Sequence, residues 1–142
     1  MILQCLGALI AVMACAIILE APKKFLIHAG IVGAIGWCLY LMIVGYLDAV
    51  KATFIAGLAI ASLSHLFARQ MKAPVTIFLI PGFFPLVPGA GMYRTVYYFL
   101  RNQRNLFEYN LNTTIQIAGM IAVSIFAIDA ISKINKKKHT KS

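Results

Sequence analysis

Three prolines and three glycines fall within Pro81–Gly91, inside an apolar stretch that reads APVTIFLIPGFFPLVPGAGMYRTVYYFL from Ala73 to Leu100. Pro81, Pro85 and Pro88 share one helical face, and each lacks the N–H that its turn would use. The carbonyls of Ile77, Pro81 and Phe84 are therefore expected to lose their helical partners. Lipid supplies no replacement, so backbone opened in this way is tolerated only against protein, ordered water or a polar cavity. Past Gly89 and Gly91 the pattern restarts as a half-helix, Met92–Leu100, whose first N–H groups are unpaired and whose N-terminus carries partial positive charge. Free carbonyls and free N–H groups at membrane depth are what discontinuous transporter helices use to hold ions and charged solutes. A proline kink packed on neighbouring helices is the purely structural alternative.

Other side chains that can do chemistry are few. Arg94 lies in the second half-helix among Tyr93, Tyr97 and Tyr98; an arginine at that depth points to a solute, and the alternative is snorkelling to the headgroups. Asn112 and Gln116 share a face with Gly119 and Met120, so that strip should meet protein or a water-filled path. His65 stands one turn before Arg69, which suits gating or proton relay, or an interfacial histidine. Nucleophile elbows, zinc-protease motifs, phosphate loops and paired carboxylates are missing from the sequence. All four acids, Glu20, Asp48, Glu108 and Asp129, fall at span ends or in loops, so an enzyme is not expected. Neither are a cofactor or a metal. Cys5, Cys15 and Cys38 sit in apolar runs without a C-x-x-C pair, which predicts buried reduced thiols and no disulfide.

These residues must be positioned by elements that live in lipid. Of the 142 residues, 61% are hydrophobic and 12% charged, with a mean hydropathy of +0.85. That composition specifies an all-α integral membrane protein. Five transmembrane helices are expected, at about 2–19, 25–47, 52–68, 74–100 and 111–131, the fourth broken at the Pro/Gly segment. The chain then forms a single transmembrane domain, 1–132, with a polar loop over 101–110 and a flexible basic tail over 133–142. Gly30, Gly33 and Gly36 form a small-residue strip on the second span, where a neighbouring helix approaches. The net charge of +9 comes from span ends and the tail rather than from one folded face, which speaks against nucleic acid. With the N-terminus outside and the C-terminus cytoplasmic, Lys23, Lys24, Arg69, Lys72 and the tail lysines all lie inside. Four crossings with a re-entrant fourth segment sort the charges less well. The tail is then an anchor on anionic lipid.

The run Pro74-x-x-x-Phe78-x-Ile80-Pro81-Gly82-x-x-Pro85-Leu86-Val87-Pro88-Gly89-x-x-x-Tyr93 resembles the signature of the threonine/serine exporter family, ThrE type. The chain is similar to that family's small, YjjB-like subunit over nearly its full length. The resemblance implies heteromeric export of small metabolites, threonine and serine or a dicarboxylate such as succinate, across the bacterial cytoplasmic membrane. It also implies a larger membrane subunit as partner, with a homo-oligomer as another assembly open to the chain. The motif carries Pro74, Pro81, Gly82, Pro85, Pro88, Gly89 and Tyr93 as site positions, while Arg94 stands on its depth alone. A scaffold subunit that does not itself transport is the reading from another class.

Overall fold

The computed structural model describes the backbone of residues 1–140 and the side chains through residue 134. Every regular element among the described residues is helical: α1 Ile2–Ile18, α2 Leu26–Val44, α3 Ala49–Met71, α4 Thr76–Phe83, α5 Gly89–Leu100 and α6 Arg104–Thr140. Lys23–Phe25 and Phe84–Leu86 are single 3-10 turns. Helices α2, α3 and α6 are long and apolar enough to cross a membrane; α4 and α5 qualify as a pair bent by 48°, and α1 is a shorter apolar helix.

Three helices end the same way without glycine. Glu20, Lys72 and Asn102 take left-handed φ of 57°, 51° and 54°, and the next N–H reaches back to the carbonyls of Ala16, Ala68 and Tyr98 at 3.0 Å each. This is the Schellman closure, which satisfies carbonyls a helix end would leave bare. It makes each reversal short enough to pack consecutive helices antiparallel. The expected loop over 101–110 shrinks accordingly to the turn around Asn102, and α6 begins at Arg104. Arg104 Nε donates to Glu108 Oε1 at 2.9 Å, and Asn110 and Thr113 bond carbonyls one turn back, so the polar residues continue the helix. At its other end α6 runs on to Thr140, where a flexible tail was expected; Lys141, Ser142 and the side chains from residue 135 lie outside the described residues.

The core forms where α2, α3 and α4 meet, around Val32, Ile60, Phe78 and Phe83. Phe78 meets Phe25 edge-on with ring centroids 5.5 Å apart. The glycine strip of α2 is consumed within this one chain. A Cβ at Gly33 would collide with Val12 of α1, one at Gly30 would lie 2.7 Å from Met13 Cγ, and one at Gly36 would collide with Ile60 of α3. Gly33→Leu should therefore lower the chain's own unfolding midpoint, by about 1–3 kcal/mol of overpacking. Gly7→Leu, at a position with nothing within 4 Å of the added Cβ, is the control in the same detergent melt. Equal midpoints for both variants would contradict the α1–α2 packing.

That packing also overturns the expectation of three free thiols. With Val12 on Gly33 and Met13 beside Gly30 in antiparallel register, Cys5 comes level with Cys38, and the two are joined as a disulfide with Cα atoms 5.8 Å apart. The separation lies within the range a bridge requires. Cys15 remains free.

Candidate functional site

Helix α4 carries Pro81 and Gly82 into the core rather than into a cavity. Both are buried, and a Cβ on Gly82 would touch Val32 Cγ1 at 3.0 Å and Ile60 Cγ2 at 3.1 Å. They fix the height at which the chain breaks. Beyond them the carbonyls expected to be free are not: the Phe84 N–H reaches Pro81 C=O, and the Val87 N–H reaches Phe84 C=O at 3.3 Å. Tightening to 3-10 geometry lets donors three residues on replace those the prolines removed. Val87 turns extended (φ −60°, ψ 126°), as a residue before proline prefers. Pro88 (φ −77°, ψ 55°) makes an inverse γ-turn, with Gly89 N–H bonded to Val87 C=O at 2.7 Å.

What the break leaves unpaired is donors. Met92 N–H bonds the Pro88 carbonyl at 2.9 Å, while the Ala90 and Gly91 N–H groups have no backbone acceptor among the described residues. They open α5, and this end of the helix favours negative charge. Gly91 lies against α6 so closely that a Cβ would come within 2.5 Å of Thr114 Oγ1, whereas a Cβ on Gly89 would meet nothing within 4 Å. Gly91 thus permits the α5–α6 approach, and Gly89 keeps space empty.

That space is a cleft of about 410 Å³. One wall is the break itself, Pro85–Gly91, with Arg94 one turn further along α5. The facing wall is Trp37 and Tyr40 of α2, stacked with ring centroids 5.1 Å apart, and Thr53 of α3. Helix α6 closes it with Tyr109, Asn110, Thr113, Thr114 and Ile117. No acidic side chain lines it, and Arg94 makes no ion pair among the described residues. Donors, hydroxyls and a cation against an aromatic face suit a small solute bearing a carboxylate. One turn below Thr53 the cleft ends: a Cβ on Gly57 would collide with Ser124 Oγ and lie 3.3 Å from Phe83 Cε1, so α3, α4 and α6 meet there without a gap.

The structure brings Pro85, Pro88, Gly89 and Arg94 together in this cleft and leaves other expected residues elsewhere. Tyr93 is 69% exposed on the outer face of α5 and stacks on Tyr97 at 6.2 Å. Asn112 and Gln116 are exposed on the side of α6 turned from the cleft. His65 is far along α3, its Nδ1 2.9 Å from Ala61 C=O and its Nε2 3.7 Å from Asp129 Oδ1. Trp37, Tyr40, Thr53 and the Asn110/Thr113/Thr114 face are additions. For α6 the signal was present as a second polar face at helical spacing. Choosing between the faces requires knowing where Gly91 docks.

Membrane-length apolar helices around a polar, cation-bearing cleft at a bent helix pair are the features of a multi-pass membrane protein. The chain belongs to the threonine/serine exporter family: the family model for "Threonine/Serine exporter, ThrE" matches residues 4–131. A relative, the threonine/serine exporter of Corynebacterium glutamicum, is 30% identical over 105 residues, which are 74% of this chain and 22% of that protein. The match thus spans little more than a fifth of the relative's length. No solved structure matches the chain. Membership in an exporter family points to a transport-related role.

Proposed function

We propose that the chain is the small subunit of a secondary exporter of small polar metabolites, threonine/serine-type amino acids or a dicarboxylate such as succinate, across the bacterial cytoplasmic membrane. The observation that carries this reading is the cleft at the α4–α5 break, one wall of which holds Arg94 together with Ala90 and Gly91, whose N–H groups have no backbone acceptor among the described residues. A substrate carboxylate sits at the N-terminus of α5, and an ammonium group, where there is one, lies over the Trp37/Tyr40 face. The Gly57/Phe83/Ser124 layer is the closed gate of one state in an alternating-access cycle. The remaining walls come from a larger membrane subunit, in keeping with the much greater length of the Corynebacterium relative.

Five crossings are the topology that fits best. From Thr76 to Leu100 the two helices and the intervening turn follow a path of roughly 36 Å, and a 48° bend shortens it only to about 33 Å, still the thickness of the hydrocarbon core. A re-entrant segment would have to fold back, far beyond that angle. The Lys23/Lys24 turn and the Lys72 turn lie at the end of the bundle that α6 reaches last, so positive-inside sorting puts it in the cytoplasm. The Cys5–Cys38 bridge lies toward the other end, the oxidising side in this orientation.

The test is a single-cysteine scan in a background without native cysteines, using intact cells and a membrane-impermeant thiol reagent. Cysteine at Asn102 should label from outside. Cysteine at Gly89 or Ala90 should also label, and exported substrate should protect it. No labelling at 89–90, or labelling that substrate leaves unchanged, would favour the scaffold reading; an unreactive position 102 would overturn the orientation.

A further inference from the structure

We propose that the lysine-rich end of the bundle holds the phosphate headgroup of an anionic phospholipid, in a second cavity formed by the last turn of α3, the α3–α4 turn and α6. This inference is independent of the exporter reading. The cavity is about 190 Å³ and is lined by His65, Arg69, Lys72 and Ser132 among small apolar residues. Arg69 Nη2 donates to Ser132 Oγ at 2.9 Å, and Ser132 is buried at 8% exposure, so one arm of the guanidinium is held while its other N–H groups have no further partner among the described residues. Lys72 stands at the left-handed corner that ends α3. The one acid nearby is already taken, because Asp129 Oδ2 pairs with Lys133 Nζ at 2.7 Å and Oδ1 faces His65. Two cations therefore share a small recess in which, among the described residues, no carboxylate answers them. A phosphate oxygen satisfies both, and the planar guanidinium fork suits it.

The same chemistry fits a free phosphate, and the surroundings decide for lipid. Leu66, one turn before Arg69, and Ile131, next to Ser132, are 49% and 54% exposed. Both helices thus carry uncovered apolar side chains on the bilayer-centre side of the recess residues Arg69 and Ser132, surface that an acyl chain can cover. The recess lies at the helix ends, level with the Lys23/Lys24 turn, where headgroups meet the protein, and basic recesses between transmembrane helices are known headgroup sites.

Native mass spectrometry and thermal unfolding of the purified full-length chain in detergent test this with three probes: phosphatidylglycerol, phosphatidylcholine and inorganic phosphate. Phosphatidylglycerol should bind as discrete adducts and raise the unfolding midpoint, and the other two should not. Lys72→Gln, an exposed position outside the core, should weaken phosphatidylglycerol binding by about tenfold, and Arg69→Gln with Lys72→Gln by about a hundredfold. Arg101→Gln with Arg104→Gln, at the opposite end, should leave it unchanged. An equal effect of phosphatidylcholine would reduce the site to non-specific lipid contact. The full shift with inorganic phosphate alone would make it a free-anion site. Undiminished binding by Lys72→Gln and by the double variant would also overturn the proposal.

Discussion

Replacing Pro85 and Pro88 together by alanine is expected to abolish export while the protein still inserts, accumulates and assembles. Alanine restores two N–H groups, and in an α-helix these bond the Pro81 and Phe84 carbonyls, which now accept only from the tight 3-10 donors at Phe84 and Val87. Each proline in a helix interior costs on the order of 3 kcal/mol, so the variant should be no less stable than the parent. The loss lies at the site. A continuous helix removes the 48° bend and directs the Ala90 and Gly91 N–H groups to the Leu86 and Val87 carbonyls. Two donors of cleft-lining residues are then consumed by the backbone. Hydrogen bonds to a charged ligand are worth about 1.5–3 kcal/mol each, so losing two lowers transport by roughly two to four orders of magnitude. Export from preloaded cells, beside blue-native gels for assembly, checks both halves of the expectation. Normal export by the double variant would remove the break from the mechanism and leave the scaffold reading ahead.

Much of this arrangement is local in sequence and was legible there. Proline spacing of four and three residues in an apolar run marks the break, whatever packs around it, and hydropathy marks the ends of α1, α2 and α3 to within about three residues, whereas α6, Arg104–Thr140, overruns the expected 111–131 at both ends because its polar residues continue the helix. What depends on register between helices was not legible. Cys5 and Cys38 are 33 residues apart, and only the Val12–Gly33 contact brings them level. The Gly30/Gly33/Gly36 strip correctly signals a close helix neighbour, but nothing in its spacing distinguishes α1 and α3 of the same chain from another subunit. On α6 two polar faces compete, and the Gly91–Thr114 approach selects the one with Thr113 and Thr114 over the one with Asn112 and Gln116. The fate of the proline-freed carbonyls was hidden for another reason: 3-10 donors three residues on serve as well as the missing α-helical ones, and counting absent N–H groups ignores them.

Arg94→Gln should raise the substrate concentration for half-maximal export by about tenfold, with little change in the maximal rate, if the guanidinium binds the carboxylate of the transported solute. Glutamine keeps most of the length and two donors but removes the charge, so the effect isolates electrostatics from packing. The charge faces no acid in the cleft and lies on the same wall as the Ala90 and Gly91 N–H groups, so substrate carboxylate is the partner the geometry supplies. Snorkelling makes the opposite forecast: an arginine that serves only the headgroups contributes to depth and stability, and glutamine would shift melting while leaving half-saturation alone. Arg101→Gln provides the comparison. Arg101 lies over the Tyr97 ring at 5.1 Å at the exposed end of α5, where an interfacial cation belongs, and its loss should leave export unaltered. Gly89→Leu separates charge from space, because its side chain enters the region where no atom lies within 4 Å of a Cβ and should abolish export even with Arg94 present. If Arg94→Gln exports with parental half-saturation while Gly89→Leu is inactive, the cleft is still the path, and the carboxylate is held by the α5 N-terminus alone.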